Sequence, residues 1–162
     1  MATTPVDNPN GFKPVRCLYN CPPPIAEVLA TNSQTIVVGD PLTNETAPGY
    51  AAIAATTSGQ ILGVSTEDVT TDGSGTQYFK IWVACEGTIF EGQVSGTFAQ
   101  ADVHTSVDID GSTGIFEVDE TNTTEQVVRI VDYNRNDTIG ANTRVHFILC
   151  RSGYTDNRVA ET

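Results

Sequence analysis

Two histidines, four cysteines and twenty acidic residues are the side chains of this 162-residue sequence from which chemistry would have to be built. Nucleophilic catalysis needs a nucleophile, a base and a group that orients the base, and the base is usually histidine. His104 falls in a turn-like stretch and His146 alternates with apolar neighbours in Val145-His146-Phe147, so both read as structural. No Gly-x-Ser-x-Gly elbow, phosphate-binding loop, His-Glu-x-x-His or Cys-x-x-Cys occurs. The expectation is a non-enzymatic protein that needs no cofactor.

Metal chemistry has equally little support. Cys17 and Cys21 form a Cys-x3-Cys pair, which would hold zinc only with a second pair nearby. Cys85 and Cys150 lie instead in Trp82-Val83-Ala84-Cys85 and Phe147-Ile148-Leu149-Cys150, where cysteine serves as a small core residue. In an oxidising medium a tight loop can join Cys17 to Cys21 as a disulfide, and the sequence leaves both redox states open. Asp108-Ile109-Asp110-Gly111 is like the start of a calcium loop, but the twelfth position holds Asp119 where that loop requires glutamate. These acids, with Glu117 and Glu120, read as a solvated face near turns, and no metal site is predicted. Asn44-Glu45-Thr46, Asn122-Thr123-Thr124 and Asn136-Asp137-Thr138 match the glycosylation pattern at the frequency a chain with 23 threonines would give.

The net charge of -12 is unevenly distributed. Residues 1–24 carry +1, residues 25–128 carry -14 with Lys80 the only base, and residues 129–162 carry +1. Such an acidic body repels phosphate backbones and anionic lipid, which disfavours nucleic acid and membranes as partners. Seven of the eight bases sit in the two end segments, the parts suited to an acidic partner surface. No apolar run approaches the roughly 18 residues of a membrane-spanning helix. Met1 to Asn8 lacks the basic and apolar regions of a secretion signal, so synthesis in a cytoplasm is expected.

Three segments must position any functional surface. Residues 1–24 hold six of the eight prolines, which exclude helix interiors and central strands, and read as an extended arm. The arm's Phe12, Val15, Leu18 and Tyr19 must lie on their own domain or dock on another molecule, and docking is the expectation. Residues 25–152 alternate short apolar runs with turn residues, the pattern of an all-β domain. Tyr78–Ala84 carries apolar groups on both faces and reads as deeply buried, pairing across Glu86-Gly87 with Ile89–Val94. Asp110-Gly111 marks a turn between strands at 105–109 and 114–118. Strands at 126–131 and 143–150 close the domain, with Val145, Phe147 and Leu149 on one face. Residues 153–162 are polar and read as a tail.

One stretch is not explained by turn and strand rules: Asn8-Pro9-Asn10-Gly11-Phe12-Lys13-Pro14-Val15-Arg16. It resembles the opening of the decoration, or cement, proteins of tailed bacteriophage heads. Val38-Gly39-Asp40-Pro41-Leu42, Ile61-Leu62-Gly63-Val64, Ile81-Trp82-Val83-Ala84 and Ile89-Phe90-Glu91 resemble that family's later strands. Arg129-Ile130-Val131-Asp132 and Asn136 to Val145 resemble its closing hairpin, so the similarity covers roughly residues 8 to 150. Cys17 to Pro24 departs from the family, which has a Gly-rich and aromatic stretch there.

The resemblance implies a small β-barrel or β-tulip domain with an extended N-terminal arm. It implies a homotrimer at threefold positions on the outer surface of a virion, made in the host cytoplasm, with the major capsid protein as partner. It assigns capsid docking to Asn8 through Arg16, with Phe12 and Val15 as apolar anchors, and further contacts to Arg135, Asn136 and Asn142. Removal of residues 1–16 should then leave a folded domain that cannot bind. A head-tail connector, another tail component or a carbohydrate-binding adhesin sandwich are the alternative readings.

Overall fold

Short β-branched runs broken by Gly, Pro, Asn and Asp fold almost entirely as strands, because each run is too short and too rich in Thr, Val and Ile to sustain a helix. The computed structural model describes residues 2–44, 49–74 and 77–150. The expected tail at 153–162, residues 151–152 of the β domain and Glu45-Thr46 of one glycosylation pattern lie outside them. The protein is all-β. In chain order the strands are β1 (Lys13–Cys17), β2 (Ile25–Ala30), β3 (Thr35–Ile36), β4 (Pro41–Asn44), β5 (Tyr50–Ile53), β6 (Gly63–Ser65), β7 (Val69–Thr70) and β8 (Tyr78–Val83). They continue with β9 (Thr88–Gln93), β10 (Ser106–Asp110), β11 (Glu117–Asp119), β12 (Val128–Tyr133) and β13 (Arg144–Leu149).

Two assemblies share these strands. β2, β5, β4, β6 and β8 close into a five-stranded barrel, while β1, β9, β13, β12, β10 and β11 form an antiparallel sheet in that order. The barrel closes through a parallel pairing of β2 with β5, at Leu29 with Tyr50 and Ala30 with Ala51. Pro41 opens β4, the strand position where a missing N–H does least harm. A bridge between Val94 and Val118 brings the far edge of the sheet back toward β9 and curls it around the larger core. Phe12, Phe90, Phe98, Phe116 and Phe147 fill that core, and Leu42, Phe79 and Ile81 lead a second one inside the barrel.

Three expectations are corrected. β8 and β9 do not form a hairpin: β8 pairs with β2 and β6, β9 with β1 and β13. Both edges of each strand are already taken, so residues 84–87 carry the chain from barrel to sheet. β8 is not buried on both faces either. Phe79, Ile81 and Val83 point into the barrel, whereas the wall's outer face leaves Tyr78 62 % exposed.

The arm, too, lies differently from the expectation. Lys13–Cys17 is an edge strand of the sheet, where Pro14 is tolerated next to a shift of register between Pro14 and Arg16. Phe12, just before it, is 1 % exposed and meets Phe147 edge-on, ring centroids 4.9 Å apart. The residue expected to anchor a partner completes the chain's own core.

Candidate functional site

The arm and the closing hairpin, assigned separately to partner binding, are brought together as one surface. The Thr3 N–H donates to Asn136 O at 2.8 Å, and Thr3 O accepts from the Thr138 N–H at 2.8 Å. Further along, Asn8 N–H donates to Gln93 Oε1 at 3.1 Å and Gln93 Nε2 donates to Val6 O at 3.1 Å. Residues 3–10 are thus a strap tied at both ends across a cleft of about 390 Å³, with Lys13, Glu91, Asn142 and Arg144 in its walls.

The strap's sharpest constraint is at Gly11. Its φ of +69° suits glycine, and a Cβ there would stand 2.5 Å from Gly39 O. The Phe12 N–H donates to that same oxygen at 2.8 Å. Asn10-Gly11-Phe12 and Val38-Gly39-Asp40, two segments of the resemblance far apart in sequence, are therefore in contact. Asp40 extends the joint: wholly buried, it accepts from the N–H groups of Val37 at 2.8 Å and Gly114 at 2.7 Å, and burial pushes its carboxyl up.

Charge inside the cleft is mutually paired. Glu91, 5 % exposed on β9, accepts from His146 Nε2 at 3.2 Å and Asn134 Nδ2 at 3.0 Å, and pairs with Lys13 Nζ at 3.0 Å. The His146 hydrogen bond is the main cause that holds its carboxyl down at about 2, with Lys13 and Asn134 adding to it against the cost of burial. Asp137, 3 % exposed, accepts from Arg144 Nε and the Arg144 backbone N–H, both at 2.9 Å. Burial alone would raise the Asp137 carboxyl, but Arg144 more than offsets this and holds it below the usual range. These carboxylates brace β9, β13 and the 134–144 connection. Neither is a free acid or base.

The remaining residues divide by surroundings. Asn136 and Asn142 border the strap, Asn142 with a left-handed φ of 60°. Arg135 turns away, donating to Asp132 Oδ1 at 2.7 Å and lying 4.2 Å above the Tyr133 ring. Asp108 is fully buried and accepts backbone N–H bonds from Thr124, Glu125 and Gln126 at 3.1, 2.9 and 2.6 Å, so it organises a loop. Cys17 and Cys21 are free thiols with sulfurs 2.8 Å apart. Thr3, Gln93, Glu91 and Asp137 were not apparent as site residues. A glutamate inside the apolar run Ile89-Phe90-Glu91 was the one signal that could have marked them.

Like charge faces the strap from the other side. Burial first, then Asp7 of the strap, Asp110 and Glu120, push Glu117 up to about 7 from its ordinary 4.5. Between those values the folded chain binds more protons than the unfolded chain, so stability falls as pH rises from 4.5 through 7. Glu91 acts oppositely: its stabilisation is present above 4.5 and lost as pH falls toward 2. Thermal melts from acid to neutral pH should peak in the window between the two. Glu117→Gln should flatten the neutral limb and Glu91→Gln the acid limb; unchanged profiles would exclude these groups.

No protein-family model matches this chain, and no curated protein matches it.

Proposed function

We propose that this chain is a non-enzymatic structural protein of a tailed-phage virion, a decoration protein that binds the outer surface of the head and stabilises the shell. In this reading it assembles as a homotrimer at threefold positions, with the major capsid protein as partner. The observation that carries it is the placement of apolar surface. Of the nine exposed large apolar side chains among the described residues, five, Val6, Val15, Leu18, Tyr19 and Ile25, lie within the first 25 residues, beside the basic Lys13 and Arg16. Water-exposed apolar groups next to positive charge suit an acidic, partly apolar partner. Paired charges in the cleft fit a binding role better than a catalytic one.

The anchors in this proposal shift from Phe12, which is internal, to Val15, Leu18, Tyr19 and Ile25. The test mixes the purified protein with phage heads that lack it and follows co-sedimentation, with light scattering of the free protein. The expected results are the mass of three chains and saturable binding. Leu18→Asp with Tyr19→Asp should reduce binding at least about tenfold while changing folding stability by less than about 1 kcal/mol, since both side chains are exposed. A monomer that ignores heads would remove the proposal, and undiminished binding by the double variant would remove these anchors.

A further inference from the structure

We infer that Cys17 and Cys21 are a redox modification site: a small-molecule disulfide such as oxidised glutathione converts them into a disulfide that closes a five-residue ring around Leu18 and Tyr19. This is independent of the proposed partner and uses side chains that the cleft does not.

Local backbone structure creates the pairing. Cys17 ends β1 opposite Thr88, and the Leu18 N–H donates to Gly87 O at 2.8 Å, which fixes the first residue of the turn. The Tyr19 ring lies over Gly87, and Asn20 takes a left-handed φ of 52°, reversing the chain so that Cys21 returns to Cys17. The sulfurs then stand 2.8 Å apart, within about 1 Å of a covalent S–S bond. Cys21 is exposed and Cys17 half-buried, so an oxidant can reach the pair. Cys85 is differently placed, its sulfur 3.2 Å from Thr88 Oγ1. Among the described residues no cluster of three His, Cys, Asp or Glu is arranged to hold a metal.

The two thiols have distinct roles. A hydrogen bond from Cys21, then one from the Tyr19 backbone, lowers the Cys17 thiol from its ordinary value, while the same contact with Cys17 raises Cys21. Because Cys17 receives a backbone hydrogen bond from Tyr19 in addition to its contact with Cys21, the first attack is assigned to Cys17. It displaces one glutathione thiolate from the oxidant and forms a mixed disulfide. Cys21 then gives its proton to water and attacks the Cys17 sulfur, expelling the second glutathione. Two protein thiols have lost two electrons, and the oxidant has become two thiols.

Intact-mass measurement after incubation with oxidised glutathione tests each step. The wild type should lose about 2 Da and retain no glutathione, whereas Cys21→Ser should gain about 305 Da on Cys17 as a trapped mixed disulfide. Cys17→Ser should react several-fold more slowly, and Cys85→Ser should behave as wild type. The oxidised protein should melt about 5 °C higher, reversibly with dithiothreitol. Stable glutathione on the wild type, or a bridge from either residue to Cys85, would overturn the assignment.

Discussion

Phe12→Ala should lower folding stability by about 3–5 kcal/mol, the largest loss expected from any single truncation in the arm. The side chain is 1 % exposed, stacks edge-on against Phe147 and rests so closely on Gly92 that a Cβ there would come within 2.5 Å of its Cδ1. No nearby side chain can collapse into the vacated space, because β9 and β13 are fixed on both flanks by pairing. Against a typical total of about 5–15 kcal/mol, the loss is a large fraction of what holds the chain folded. Urea unfolding of the variant should show a midpoint shift with unchanged slope. A shift under about 1 kcal/mol would mean that Phe12 contributes little to the core. The same reasoning reverses the expectation that removing residues 1–16 leaves an intact domain, since that cut takes away both Phe12 and most of β1.

Asp108→Ala should cost about 3 kcal/mol, for electrostatic rather than packing reasons. One fully buried carboxylate accepts three consecutive backbone N–H groups, those of Thr124, Glu125 and Gln126. Truncation leaves those donors facing a void, at a cost of about 1–3 kcal/mol each, reduced where water enters. Asp108→Asn should recover only part of the loss, because its NH2 presents a donor where donors already converge. Hydrogen exchange at the 124–126 amides is the local readout. Wild-type exchange there with wild-type melting would show that the loop is held by something else. Asp108 read in sequence as part of a solvated acidic face near turns, whereas it is fully buried and serves as the internal acceptor of a tight loop.

Much of the fold was legible because alternation is a local property. Val145, Phe147 and Leu149 on one face of β13, and the Asp110-Gly111 turn between β10 and β11, required only neighbours in sequence to be read. Strand partners were not legible in the same way. The alternation in Tyr78–Val83 is the same whether that strand pairs with β9 or with β2, and one of its two real partners lies some fifty residues earlier. The candidate site depended on longer distances still. Glu91 meets Lys13 from far upstream and His146 from far downstream, so neither partner of this buried carboxylate is a sequence neighbour. Proline content was silent on where Phe12 would go, since an apolar residue is equally suited to its own core and to a partner's.

The union of the first and last strands around β9 has a consequence during synthesis. Phe12 reaches its pocket only after Phe147 has been translated, on the order of 10 s later at typical elongation rates. Until then the barrel strands can assemble, whereas β9 has only β1 to pair with and lacks β13. The nascent chain is thus kept from finishing its larger core until β13 has been made, and crowded ribosomes translating one message would bring many such unpaired edges close together. Messages translated densely should yield more exchanged or aggregated chains than sparse ones.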